Sequence, residues 1–151
     1  MAGALSYGEG VAFWALAEMV RQRLQIAEED PIVGCRRQAQ RRVWQRWLCR
    51  FRLSATYVGP RLAQLLGVEY GEPGPVLGRD ELFAGWRLFF ERLAAAAPVV
   101  MVVEDLQYAD AGLLDFLEHL LDWARDVPIF VLTLARPELE ARRRWLGNRS
   151  A

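Results

Sequence analysis

The sequence predicts an α/β chain, mostly helical, built on a two-stranded parallel βαβ core. Two apolar runs, "VVMVV" at 99–103 and "IFVLTLA" at 129–135, have the length of buried strands. A stretch of helical periodicity separates them, and the whole spans a single βαβ unit, so the strands are expected to be parallel with a right-handed connection. Elsewhere apolar residues recur at three- and four-residue steps, the period of helices with one buried face.

Gly8 to Gly10 form a turn, and a helix is expected from Val11 to about Ile26 with Phe13, Leu16, Val20 and Leu24 on one face. Glu28, Glu29, Asp30 and Pro31 end it. Residues 33–53 read "VGCRRQAQRRVWQRWLCRFRL", in which Val43, Trp44, Trp47, Leu48 and Phe51 share one helical face. A short helix from Pro60 to Leu66 should stop at Gly67, and Gly71 to Gly78 is a turn-rich connector. Asp80 is the expected N-cap of a helix from Glu81 to about Ala97, whose buried stripe is Leu82, Phe83, Trp86, Phe89, Phe90 and Leu93. Pro98 separates that helix from the strand Val99–Val103. The crossover helix runs from about Ala111 to Arg125, with Leu113, Leu114, Leu117, Leu120, Leu121 and Ala124 inward. Pro128 leads into the second strand, and Pro137 and Glu138 open a final helical stretch. No internal repeat is visible.

The 151 residues fit one domain, and a composition 53% hydrophobic and 25% charged is that of a globular chain rather than a disordered one. Zero formal net charge removes any whole-chain attraction to nucleic acid or anionic lipid. All 19 basic residues are Arg; Lys is absent. Cys35, Cys49 and His119 have no metal-site spacing, and with no secretory leader or membrane-length apolar run the chain reads as cytoplasmic with both thiols reduced. His119, mid-helix, is expected at the surface or half-buried, with no nucleophile placed to use it.

Sites in open α/β sheets lie at the carboxyl ends of the strands. Glu104 and Asp105 end the first strand and Arg136 ends the second. Neighbouring strands lie about 4.8 Å apart, so the acids and the Arg can face one crevice. There one acid can hold Mg²⁺ through water while its neighbour orients an attacking water, and an Arg can sense or stabilise a terminal phosphate. The usual complement is a G-x-x-x-x-G-K-[ST] loop, whose backbone N–H groups and Lys hold the phosphates. A chain without Lys cannot supply it, and Gly8–Gly10 lacks the third glycine and preceding strand of a dinucleotide fingerprint.

The stretch "VVMVVEDLQYADAGLLDFLEHLLDWARDVPIFVLTLARPEL" resembles the Walker B to sensor 1 segment of AAA-like ATPases of the STAND type. Those proteins have an apolar strand, two acids, Leu, a polar residue, an aromatic, Ala and Asp, then a helix and a strand ending in Thr-x-x-Arg-Pro. The likeness is strongest to ATPase domains fused to bacterial adenylate/guanylate cyclase domains and to LuxR-type regulators. "SYGEGVAFWALAEMV" is similar to the segment after the second strand there, and "GEPGPVLGRDELFAGWRLFFERLA" to the helix before Walker B. The resemblance covers residues 5–30 and about 57–146.

It implies a partial P-loop NTPase fold and a signalling role, with Mg²⁺ and ATP as cofactors. Glu104 matches the Mg²⁺-side Walker B acid, Asp105 the acid that polarises water, Asp110 the Asp closing the aromatic-Ala-Asp element at the nucleotide site, and Arg136 the sensor 1 position; Glu104 and Asp105 are both expected to reach Mg²⁺ through water once the site is completed. Tyr108 stands where Trp is usual, and Ala111–Gly112 replaces a Pro-containing start. The family's P-loop strand, loop and helix would precede Tyr7. The resemblance therefore predicts a partial domain over 1–151: an N-terminal helix (1–30), a divergent basic region and connector (31–78), and the Walker B and sensor 1 unit (79–146). Such a chain is expected to be marginally stable and not to hydrolyse ATP unless missing upstream elements or an effector domain complete it.

Residues 31–56 depart from the family, and a G+C-rich gene read in a shifted frame gives this mix of Arg, Trp, Cys and Gln. The competing expectation is a non-enzymatic binding module, in which Arg36 to Arg52 with Trp44, Trp47 and Phe51 engages nucleic acid or an anionic membrane.

Overall fold

A computed structural model describes residues 13–24, 56–68 and 77–137, together with Cys49, which is helical and exposed. The basic stretch 36–52, Cys35, most of the 71–78 connector and the final stretch from Glu138 lie outside the described residues.

The described elements are α1 (Trp14–Leu24), α2 (Val58–Leu66), α3 (Arg79–Ala94), β1 (Val99–Val103), a single 3₁₀ turn at Leu106–Tyr108, α4 (Ala111–Trp123) and β2 (Ile129–Thr133). The strands pair in parallel, in register from Val99 opposite Ile129 to Val103 opposite Thr133. This is the mixed, mostly helical α/β arrangement with a two-stranded parallel sheet that the sequence predicts.

Each helix follows its apolar period. In α1, Leu16, Ala17, Val20 and Leu24 are buried. In α2, Gly67 ends the helix at φ 68°, a left-handed conformation that favours a residue without Cβ. Its N–H reaches Gln64 O at 3.3 Å and the Val68 N–H reaches Ala63 O at 2.9 Å, the paired bonds of a Schellman end.

α3 starts and stops earlier than its sequence suggests. Gly78 is the N-cap, its N–H donating to the Glu81 carboxylate at 3.1 Å, so Asp80 falls in the first turn instead of capping it. There its charge still suits the positive end of the helix dipole. The helix ends at Ala94, and the N–H groups of Ala96 and Ala97 both turn back to Leu93 O. Pro98 disfavours helical backbone at the residue before it, which explains a turn where three alanines promised helix.

α2 and α3 approach closely around Gly85, where a Cβ would lie 2.2 Å from Arg61 Cδ. Arg61 is buried, yet its donors are used: Nε to Glu81 O (2.9 Å) and Nη1 to Tyr57 O (2.7 Å), with Nη2 3.5 Å from Glu81 Oε1. Trp86 Nε1 donates to Arg61 O at 2.7 Å, which satisfies the indole at the centre of the core. Around it Phe13, Phe83 and Phe116 pack with centroids 4.9–5.6 Å away, the Phe13 and Phe116 contacts edge-on.

α4 buries Leu113, Leu114, Phe116, Leu117 and Leu120. Phe116 takes the inward place expected of Leu121, which is 39% exposed. The stripe runs 113, 116/117, 120, and a residue one step beyond 120 rotates about 100° off its axis.

The helices lie on one side of the sheet, where α3 packs against both strands. Met101 and Val103 are buried against it, while Val99, Ile129 and Val131 pack at its margin. On the other side Val100, Val102, Phe130, Leu132 and Leu134 are exposed, Val100 and Phe130 by more than 60%. Parallel strands are ordinarily covered on both faces, and the apolar runs predict that; among the described residues only one face is covered. Nor does any described residue form a helix long and apolar enough to cross a membrane.

Candidate functional site

The carboxyl ends of β1 and β2 open into a shallow cleft of about 330 Å³, lined by Glu104, Asp105, Gln107, Leu134, Ala135 and Arg136. The parallel ladder continues past both strands to form it. Leu134 N–H donates to Val103 O and Leu106 N–H to Leu134 O, each at 2.9 Å. The segment carrying Arg136 is thereby held beside the one carrying the two acids.

The chain turns sharply at Asp105, which adopts φ 52° and ψ 39°. Left-handed backbone is uncommon for a residue with Cβ, and Asp tolerates it better than most. The 3₁₀ turn follows, with Tyr108 N–H on Asp105 O at 2.9 Å and Leu106 fully buried as its anchor. Gln107 then bridges the cleft. Its Nε2 donates to Asp105 Oδ1 at 2.8 Å, and its Oε1 accepts the Arg136 N–H at 3.2 Å. This fixes the amide orientation, because a flipped amide would set oxygen against carboxylate and N–H against N–H. The sequence marked this position only as a polar residue; the signal available was an amide two places after an acid pair.

Three of the four sequence-derived site residues, Glu104, Asp105 and Arg136, thus come together at one cleft. All three are exposed, and among the described residues no hydrogen bond or ion pair engages the Glu104 carboxylate or the Arg136 guanidinium. Asp110 is placed differently and does not line the cleft. It is the N-cap of α4, with Oδ1 accepting the Leu113 N–H at 3.0 Å. Gly112 is part of the same arrangement: a Cβ there would sit 2.9 Å from Asp110 Oδ1 and 2.8 Å from the Phe13 ring.

No group of three or more metal-binding side chains occurs among the described residues, so the cleft offers two adjacent carboxylates and not a closed metal cage. Mg²⁺ retains most of its water and commonly takes one or two carboxylates plus phosphate oxygens, so this donor set fits it. Among the described residues lining the cleft, Arg136 is the one cation available to an anion. No protein-family model, curated protein or solved structure matches the chain.

Proposed function

We propose that the cleft is the metal side of a nucleotide site, and that the chain is part of a STAND/AAA-like ATPase signalling domain. The observation that carries this reading is that Glu104, Asp105 and Arg136 line one cleft at the carboxyl ends of parallel strands, where such sheets place their ligands. Glu104, without a protein partner among the described residues, would hold the hydrated Mg²⁺. Asp105, oriented by Gln107, would accept a hydrogen bond from a water and point it into the cleft. Arg136 would meet the charge of a terminal phosphate. Bound Mg²⁺ would supply charge neutralisation of the phosphate oxygens.

The phosphate grip is the missing component. The sequence has no Lys and no Gly-rich phosphate loop, and among the described residues the cleft is lined by one Arg with which to hold a triphosphate. Weak nucleotide binding without turnover is therefore expected, with hydrolysis requiring a phosphate-binding loop from outside these residues. A titration with a fluorescent ATP analogue, in Mg²⁺ and then in EDTA, tests this. Weak binding that needs Mg²⁺ and disappears in Arg136→Ala agrees with the proposal. Binding unaffected by EDTA and by that substitution contradicts it, and ATP hydrolysis above background by the purified chain contradicts the missing-grip account.

A further inference from the structure

The seam between the middle of α3 and the C-terminal half of α4 holds a titratable group that the nucleotide site does not use. His119, the chain's only histidine, projects from α4 toward α3. Its ring lies 5.6 Å from Phe83 and stacks on Trp123, four residues on, at 6.1 Å and 29° between planes. Its Nε2 atom is buried and has no hydrogen-bond partner among the described residues. Arg87 of α3 reaches the same place from the other side. Its Nη1 donates to Trp123 O at 3.2 Å, tying the last turn of α4 to α3, and pairs with Glu91 at 2.9 Å; its Nε is also buried and unpartnered among the described residues.

A neutral imidazole suits this seam, and an imidazolium does not. Protonation would leave a charged Nε2–H without an acceptor and set a second cation near the Arg87 guanidinium. The acids around it are Asp80 and Glu91 on α3 and Asp115, Glu118 and Asp122 on α4. Glu91 is already paired with Arg87, and Asp115 with Arg79. Burial first, and Arg87 second, hold His119 below its ordinary value of 6.5 despite Asp80, Asp122 and Glu91 pulling upward.

We propose that His119 and Arg87 form a pH-sensitive latch: neutral His119 keeps the last turn of α4 against α3, and its protonation frees that turn. The direction follows from linkage. With its midpoint lowered by folding, the unfolded chain binds the proton more readily. The contribution to stability is whole above 6.5 and is lost as pH falls through the folded midpoint.

The test uses the full chain, because its single histidine gives one unambiguous set of imidazole resonances. NMR titration from about pH 8 to about pH 5 should place its midpoint below the ordinary range. Arg87→Met should raise that midpoint. Amide protection factors over residues 120–124 should fall by up to about tenfold per pH unit within the window, and should stay flat in His119→Gln. A midpoint at or above the ordinary value overturns the proposal, as does equal pH dependence in His119→Gln. If Arg87→Met does not fold, the wild-type titration and the His119→Gln comparison decide alone.

Discussion

Asp105 shows how one residue serves the backbone and the cleft together. Its left-handed backbone turns the chain out of β1 while its carboxylate accepts from Gln107. A β-branched side chain at such a φ costs about 1–2 kcal/mol, whereas Gly adopts it freely. Asp105→Val should therefore lose at least about 1 kcal/mol in urea unfolding, and Asp105→Gly should lose less than Asp105→Val. Equal losses would mean that the left-handed turn is absent in solution. Asp110 separates two roles that the sequence could not distinguish. The family resemblance assigns it to the nucleotide, while its hydrogen bond is to the start of α4. Asp110→Ala should cost about 1 kcal/mol of stability, and Asp110→Asn or Asp110→Ser should recover most of it. Failure of both to recover it would show that Asp110 is not acting as a cap.

At the scale of elements, periodicity located the helices well because burial in this chain follows regular stripes. Leu16, Val20 and Leu24 in α1, and Phe83, Trp86, Phe89, Phe90 and Leu93 in α3, are buried as their spacing predicts. The ends were less legible. Asp80 is a good capping residue, but Gly78 with Glu81 satisfies the helix start two residues earlier. A stripe likewise does not announce which helices touch. The α2–α3 approach depends on Gly85, which as sequence reads only as a helix-weakening residue. Gly85→Ala must displace the Arg61 stem and disturb the bond from Trp86 to Arg61 O. Its expected cost is about 1–3 kcal/mol by denaturant unfolding, and a neutral or stabilising result would contradict the close approach. The bridge through Gln107 was illegible for a different reason: it joins residues 29 positions apart, and only the strand register brings them together.

Across the whole molecule, helices cover one sheet face and, among the described residues, leave the other apolar and open. Phe130→Glu on that face should change stability by no more than about 0.5 kcal/mol while reducing self-association in sedimentation or light scattering. A loss above about 2 kcal/mol would mean that the face is buried in solution. The same asymmetry brings the site into focus: the described fold supplies two carboxylates and a guanidinium on one rim, and the sequence supplies no lysine to complete a phosphate grip. In the proposed site Glu104, with Asp105 beside it, holds a hydrated divalent cation, and Mn²⁺ binding followed by electron paramagnetic resonance is the decisive check. The predicted result is weak, Mg²⁺-competed binding of one Mn²⁺, reduced at least about tenfold by Glu104→Gln with unchanged unfolding. Mn²⁺ binding of equal strength in wild type and Glu104→Gln, or none in either, would contradict it.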